Sequence, residues 1–99
     1  MYKINKDKIS QMQINLGKNV ILRYIEGDPP ILFNIKEENF IVISKDLAIL
    51  LKISEKGLKL DEVLRKLSIN KKEEIEELLT VLETLYKHKW INIHYVYQC

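Results

Sequence analysis

The pattern of hydrophobic and polar positions changes its period near Ser44. Before Ser44, apolar side chains alternate with polar ones or form short runs between turn residues, which is typical of β-strands. After Ser44, leucine and isoleucine recur every three or four residues, which is typical of amphipathic helices. The pattern therefore predicts a β-rich first part, three helices and a short final strand.

Four strands are predicted before Ser44. Met12, Ile14 and Leu16 alternate strictly with polar side chains, which indicates a strand with one buried face. Three β-branched or aromatic runs follow, at residues 20–25, 31–35 and 40–43. Two prolines end the first of these runs, and the polar connection between the other two has the length of a hairpin turn. We therefore expect the last two runs to form a β-hairpin.

The first two helices follow directly. Ser44 is a suitable N-cap for a helix over residues 45–53, which Gly57 separates from the next helix. Residues 60–67 place apolar side chains at i, i+3, i+4 and i+7, which predicts a short helix. Together with the third helix, this segment forms a helix-turn-helix in outline.

The third helix is the longest, with a predicted length of about 18 residues that ends near His88. Asn70 followed by Glu73 resembles a capping box at its start. Beyond it, the alternation over residues 91–97 predicts a final strand, or wing. One apolar stripe marks the buried face of the helix: Ile75, Leu78, Leu79, Leu82, Leu85 and Tyr86.

Length and composition limit the class of protein. A chain of 99 residues supports one domain at most, which excludes a two-domain enzyme. A hydrophobic fraction of 46% with 30% charged residues is typical of a folded, soluble chain. No apolar run approaches the roughly 18 residues of a membrane-spanning helix, and the first ten residues lack a signal-peptide pattern. We therefore expect a cytoplasmic protein without a membrane partner.

No recognisable catalytic constellation is visible in the sequence. His88, His94 and Cys99 have no acidic residues placed to complete a ligand set, and the three glycines form no phosphate-binding loop. His88 is more simply a cation at a helix C-terminus, His94 a solvent-facing strand residue and Cys99 a tail thiol. A single cysteine also excludes an internal disulfide. We expect a protein that is not an enzyme and holds no metal or cofactor.

The helix-turn-helix with a trailing wing raises DNA binding as an alternative. Residues 71–77, at the start of the third helix, contain two lysines and four glutamates. Phosphate contacts dominate DNA affinity, and this acidic segment would repel them. The positive excess of the chain lies instead in residues 1–25, with five cations against one anion. A winged-helix transcriptional regulator is therefore the less favoured hypothesis, and nucleic acid is not the expected partner.

The strand at residues 40–43 is apolar on both faces. A strand that is covered on one face only should alternate, so something must cover the second face. Either the first and third helices cover one face each, or the strand is an edge beside the long helix that accepts an extended peptide. In the second case the acidic residues and Val81, which lies beside the apolar stripe of the third helix, would line the rim.

Residues 20–93 resemble the PqqD-like domain, the recognition element of ribosomally made and post-translationally modified peptides (RiPPs). The resemblance rests on the hairpin from Ile31 to Ser44, a helix that ends near Gly57, the segment 58–64 and the long helix with its closing apolar strand. The chain departs from the family pattern after the last helix, where His88-Lys89-Trp90 replaces a frequent glycine. The strand Met12–Leu16 is additional to that pattern.

The resemblance implies an α+β winged helix-turn-helix fold, with a three- or four-stranded N-terminal sheet, three helices and a wing strand. Residues 1–19 would form an N-terminal extension and residues 20–99 the PqqD-like domain. It also implies a non-catalytic module that binds a precursor's leader peptide for a separate enzyme, such as a radical SAM protein, a lasso-pathway protease or a cyclodehydratase. The leader would add antiparallel to the third family strand, beside the last helix. Carried over, the binding positions are Asn39, Phe40, Ile41, Val42, Ile43, Glu74, Glu77, Leu78, Val81 and Leu85. Leu78 and Leu85 fit a pure core role equally well.

Overall fold

A computed structural model describes residues 6–96 and shows an α+β fold with two antiparallel sheets and three helices. The strands are β1 (Met12–Leu16), β2 (Val20–Arg23), β3 (Ile31–Asn34), β4 (Asn39–Val42) and β5 (Ile91–Tyr95). The helices are a short 3₁₀ helix (Lys6–Gln11), α1 (Lys45–Ser54), α2 (Leu60–Lys66) and α3 (Lys72–Lys87). The α+β class and the order of the predicted strands and helices are confirmed, whereas the 3₁₀ helix was not predicted from the sequence.

Strands β2, β3 and β4 form a three-stranded sheet in that order, and the predicted hairpin is its β3–β4 pair. The hairpin turn is stabilised by the Asn34 side chain, whose Oδ1 accepts a hydrogen bond from the Glu37 amide at 2.9 Å. β2 and β3 are shorter than predicted and end before Ile25 and Ile35, whereas β4 is shifted by one residue and ends before Ile43. β1 pairs with β5 in a separate sheet, so the four-stranded alternative is wrong.

β1 and β5 contribute directly to the core. Met12 and Ile14 are fully buried, and β1 contacts α1 and α2. At the end of β1, the Gly17 amide donates to the Trp90 carbonyl oxygen at 2.9 Å. A Cβ atom at Gly17 would overlap the carbonyl oxygen of Lys89, so that only glycine permits this close approach. The N-terminal strand is therefore packed into the fold as tightly as the helices.

Ser44 caps α1 as predicted, since its Oγ accepts a hydrogen bond from the Leu47 amide at 3.1 Å. The predicted capping box at Asn70 is wrong, because α3 begins one residue later, after an N-cap at Lys71 that makes no side-chain hydrogen bond. The cause lies in the preceding turn. Ser68 adopts a left-handed backbone with φ 58°, and the Schellman motif that ends α2 shifts the start of α3 along the chain.

α3 ends in a second Schellman motif. Lys89 has a left-handed φ of 65°, and the Trp90 amide donates to the Leu85 carbonyl oxygen at 2.9 Å. A lysine therefore occupies the backbone position that glycine usually takes. The sharp turn sends the chain back along α3 into β5, which packs on this helix.

The core lies between the inner faces of both sheets and the three helices. Its buried hydrophobic side chains are those of Met12, Ile14, Val20, Leu32, Ile43, Leu47, Ala48, Leu50, Leu51, Leu60, Val63, Leu64, Leu79, Leu82, Leu85 and Ile91.

No helix within residues 6–96 is long and apolar enough to cross a membrane.

Candidate functional site

Strand β4 lies at an edge of its sheet, and no strand within residues 6–96 pairs with its outer side. The Ile43 amide donates to the Pro30 carbonyl oxygen at 3.0 Å. Bonded and non-bonded residue pairs alternate along an antiparallel ladder. The main-chain groups of Ile41 therefore bond to β3, whereas those of Phe40 and Val42 point to the open side. β4 thus presents two N–H and two C=O groups to an incoming strand.

The same two residues carry exposed apolar side chains. Phe40 is 58% and Val42 61% exposed, on the face of the sheet that points away from the helices. Ile21 and Phe33 lie in register beside Phe40 and continue this apolar row across the sheet. On the opposite face, Ile41 packs against the core. The alternative in which helices cover both faces of β4 is therefore wrong for the part of the chain described.

Helix α3 lies near the β3–β4 hairpin with its C-terminal end and near α1 with its N-terminal half. Near its C-terminal end, Tyr86 shares a cleft with Asn34 and Glu37 of the hairpin turn. In its N-terminal half, Leu78 shares a cavity with Ile49 of α1, the helix that follows β4. The two segments that flank β4 in the sequence, the hairpin turn and α1, therefore both lie near α3.

Val81 lies in the middle of α3 and is 44% exposed. The five predicted helix positions share one face of α3, about 100° wide at 3.6 residues per turn. Leu78 is half-buried, whereas Leu85 is only 7% exposed and Ile43, after β4, only 8%. Leu85 is therefore a core residue, which is one of the two roles that the sequence left open for it. Ile43 is also a core residue with almost no surface for a ligand, contrary to its predicted place in the site. The predicted positions with exposed side chains are Asn39, Phe40, Val42, Glu74, Glu77 and Val81.

A cavity of about 460 Å³ lies beyond the end of β4, between α1, the α2–α3 turn and α3. Two predicted site residues, Glu74 and Leu78, line it, but the remaining residues were not predicted from the sequence. Apolar side chains in the turn are the only hint in the sequence, because turns are usually polar. The other lining residues are Asp46, Ile49, Leu67, Ser68 and Ile69.

The remaining candidate chemistry is sparse. No group of three or more His, Cys, Asp or Glu side chains suited to a metal ion occurs in the described part of the chain. His88 is the C-cap of α3, His94 is an exposed residue of β5, and Cys99 lies outside the described residues. The one buried polar side chain described, Ser54, donates a hydrogen bond from its hydroxyl to the Leu50 carbonyl oxygen at 2.8 Å.

No protein-family model matches the chain, and no curated protein or solved structure is significantly similar to it.

Proposed function

We propose that this chain is a non-catalytic peptide-binding protein, a stand-alone RiPP recognition element that captures the leader of a ribosomal precursor peptide. The observation that carries the proposal is the open edge of β4. Its outward main-chain groups and its exposed apolar side chains belong to the same residues, Phe40 and Val42. Strand addition uses both features, because main-chain bonds supply affinity and side-chain contacts supply specificity.

The bound leader forms a fourth strand beside β4, antiparallel to it. Phe40 and Val42 together offer four main-chain hydrogen bonds, each with a net contribution of about 0.5–1.5 kcal/mol. Alternate leader side chains point to opposite faces of the extended sheet. One set continues the outer apolar row beside Phe40, and the other set lies on the side of Ile41, where we place its contact with Val81 of α3. The protein therefore selects leaders by the spacing of their apolar side chains, because main-chain hydrogen bonds are the same for every sequence.

We assign the chain to the winged helix-turn-helix class on the order of its elements. A hairpin, three helices and a closing strand follow one another as in the PqqD-like domain, with α2 and α3 as the helix-turn-helix and β5 as the wing. Residues 1–19 add β1, which pairs with the wing strand. In this assignment the additional strand fixes the position of the wing.

A protein of this kind acts in trans, because it holds the leader while a separate enzyme modifies the core peptide. A radical SAM protein, a lasso-pathway protease and a cyclodehydratase all fit that role. The neighbouring genes should identify the precursor and the enzyme to test: a short open reading frame that encodes the precursor, beside the gene of such an enzyme. Calorimetric titration with the encoded precursor should give a one-to-one complex with a Kd of about 1 μM or lower.

A precursor with the same leader composition in scrambled order is the control and should bind at least about tenfold more weakly. Mass spectrometry should show the precursor unmodified after incubation with this protein alone. Equal binding of the native and scrambled leaders, or chemical modification of the precursor without another enzyme, would overturn the proposal.

DNA binding by α2 and α3 has weaker support. Glu73 and Glu74 lie in the first turn of α3, and Glu77 follows in the second turn; all three side chains are exposed. A recognition helix enters the major groove with its first turns, where these carboxylates would approach phosphates. The same acidic surface favours a cationic partner.

A further inference from the structure

The cavity beyond β4 combines an apolar floor with an acidic rim. Its apolar lining comes from four side chains of α1, the α2–α3 turn and α3: Ile49, Leu67, Ile69 and Leu78. Asp46 and Glu74 supply two carboxylates, and none of the lining residues is a cation. The volume of about 460 Å³ lies within the range of ligand-binding pockets and exceeds that of one side chain.

The two carboxylates are available to a ligand. Asp46 and Glu74 are both exposed, and neither has a cationic partner among the described side chains. Asp46 lies in the first turn of α1 and Glu74 in the first turn of α3, so two different helices direct negative charge at one cavity. The two carboxylates outweigh the roughly half positive charge at each of the two helix N-termini, so the cavity attracts a cation and repels an anion.

We propose that this cavity binds a lysine or arginine side chain of the captured peptide, together with an adjacent apolar side chain. The proposal rests on the peptide-binding function and specifies its substrate class. A long cationic side chain places its aliphatic stem on apolar surface and its charged end in water. Here the stem packs on Ile49 and Leu78, and the charged end lies between Asp46 and Glu74.

The position of the cavity sets where the basic residue occurs in the peptide. Asp46 follows the last residue of β4, Val42, by four positions, which places the cavity near the C-terminal end of this strand. A peptide antiparallel to β4 enters from this end. The basic residue therefore precedes the segment that pairs with Phe40 and Val42.

A displayed library of random 12-residue peptides tests this preference on the full-length protein. Peptides selected by the unmodified protein should be enriched in Lys or Arg next to an apolar residue. The double variant Asp46→Asn/Glu74→Gln should lose the basic enrichment and keep the apolar one. The matched control Asp28→Asn/Glu55→Gln removes two exposed carboxylates outside the cavity and should select the same peptides as the unmodified protein.

The peptide that binds most tightly in this selection is then synthesised, and we call it the selected peptide. Its affinity for the Asp46→Asn/Glu74→Gln variant should be about tenfold lower than for the unmodified protein, since two partly exposed ion pairs are removed. Replacing its basic residue with alanine should weaken binding to the unmodified protein but not to the double variant. Enrichment without basic residues, or a basic preference that persists in the double variant, would overturn this inference and leave the peptide-binding function standing. If no peptide is enriched at all, both proposals fail.

Discussion

The amide of Ile43 donates a hydrogen bond to the carbonyl oxygen of Pro30 at 3.0 Å, and this contact determines which residues of β4 face outward. Because bonded and non-bonded pairs alternate, the free main-chain groups belong to Phe40 and Val42. These two residues also have the most exposed large apolar side chains of the described chain. Free donors, free acceptors and apolar surface therefore coincide at the same two positions.

Proline at Val42 should block strand addition without unfolding the protein. The Val42 amide points to the open side, so Val42→Pro removes a donor for the ligand but no bond to β3. We expect the affinity for the selected peptide to fall about tenfold or more, whereas the free energy of unfolding should change by no more than about 1 kcal/mol.

Val42→Thr keeps the amide and the β-branched shape and is the matched control, with binding expected within about threefold of the unmodified protein. Ile41→Pro removes a bond to β3 and should unfold the hairpin instead. Normal peptide affinity in a folded Val42→Pro variant would show that the β4 edge is not used.

A carboxylate in place of Val81 on α3 should lower the affinity for the selected peptide. Val81 is partly exposed, so Val81→Glu should cost the fold little, but a bound peptide would desolvate the new charge at a cost of roughly 2 kcal/mol or more. Titration should show about a thirtyfold loss of affinity. Thr80→Glu places the same charge on an exposed position about 100° around the helix from Val81, outside the predicted face, and should bind normally. If both variants bind equally well, α3 does not line the site.

Local patterns in the sequence predict most of the helices and strands, because a hydrophobic period depends on neighbours along the chain. They do not predict that Gln13 pairs with His94, since the strand pattern contains no information about a distant partner. The start of α3 differs for another reason. Ser68 adopts a left-handed conformation that is more typical of glycine, and its identity gives no warning of this.

The candidate site is only partly predictable for similar reasons. Apolar residues on both faces of β4 are compatible with a covered strand and with an edge that binds a partner; only the sheet order distinguishes the two. The burial of Leu85 and Ile43 depends on how α3 and β4 are oriented against the rest of the fold, and a local sequence pattern does not contain this information. The cavity combines side chains from three separate segments, including Asp46, Leu67 and Glu74, which no single sequence pattern connects.

Duplex DNA should bind poorly. The glutamates at the start of α3 oppose phosphate contact, so we expect no complex with a micromolar Kd at about 0.15 M salt. Fluorescence anisotropy with random-sequence duplexes measures this directly. Peptide affinity should fall much less steeply with salt than DNA affinity would, since main-chain bonds and apolar contacts supply most of it. A submicromolar duplex complex with a steep salt dependence would favour the transcriptional regulator.

Alanine at Gly17 should destabilise the fold. The added Cβ would overlap the Lys89 carbonyl oxygen, and this backbone is held in place by the turn at the end of α3. We expect urea denaturation to show a loss of about 2–3 kcal/mol. Gly27→Ala has open space around its Cβ and only a left-handed φ of 94° to accommodate, so it should lose about 1 kcal/mol. Equal losses in the two variants would mean that β1 and the α3 turn are not in close contact.

Residue-resolved amide exchange by NMR tests strand addition at β4 most directly. On addition of the selected peptide, the amides of Phe40 and Val42 should exchange at least about tenfold more slowly, because each gains an acceptor. The amides of Ile41 and Ile43 already bond to the β3 side and should change much less. Unchanged exchange at Phe40 and Val42 in a saturated complex, or uniform slowing along the whole hairpin, would contradict binding by strand addition at this edge.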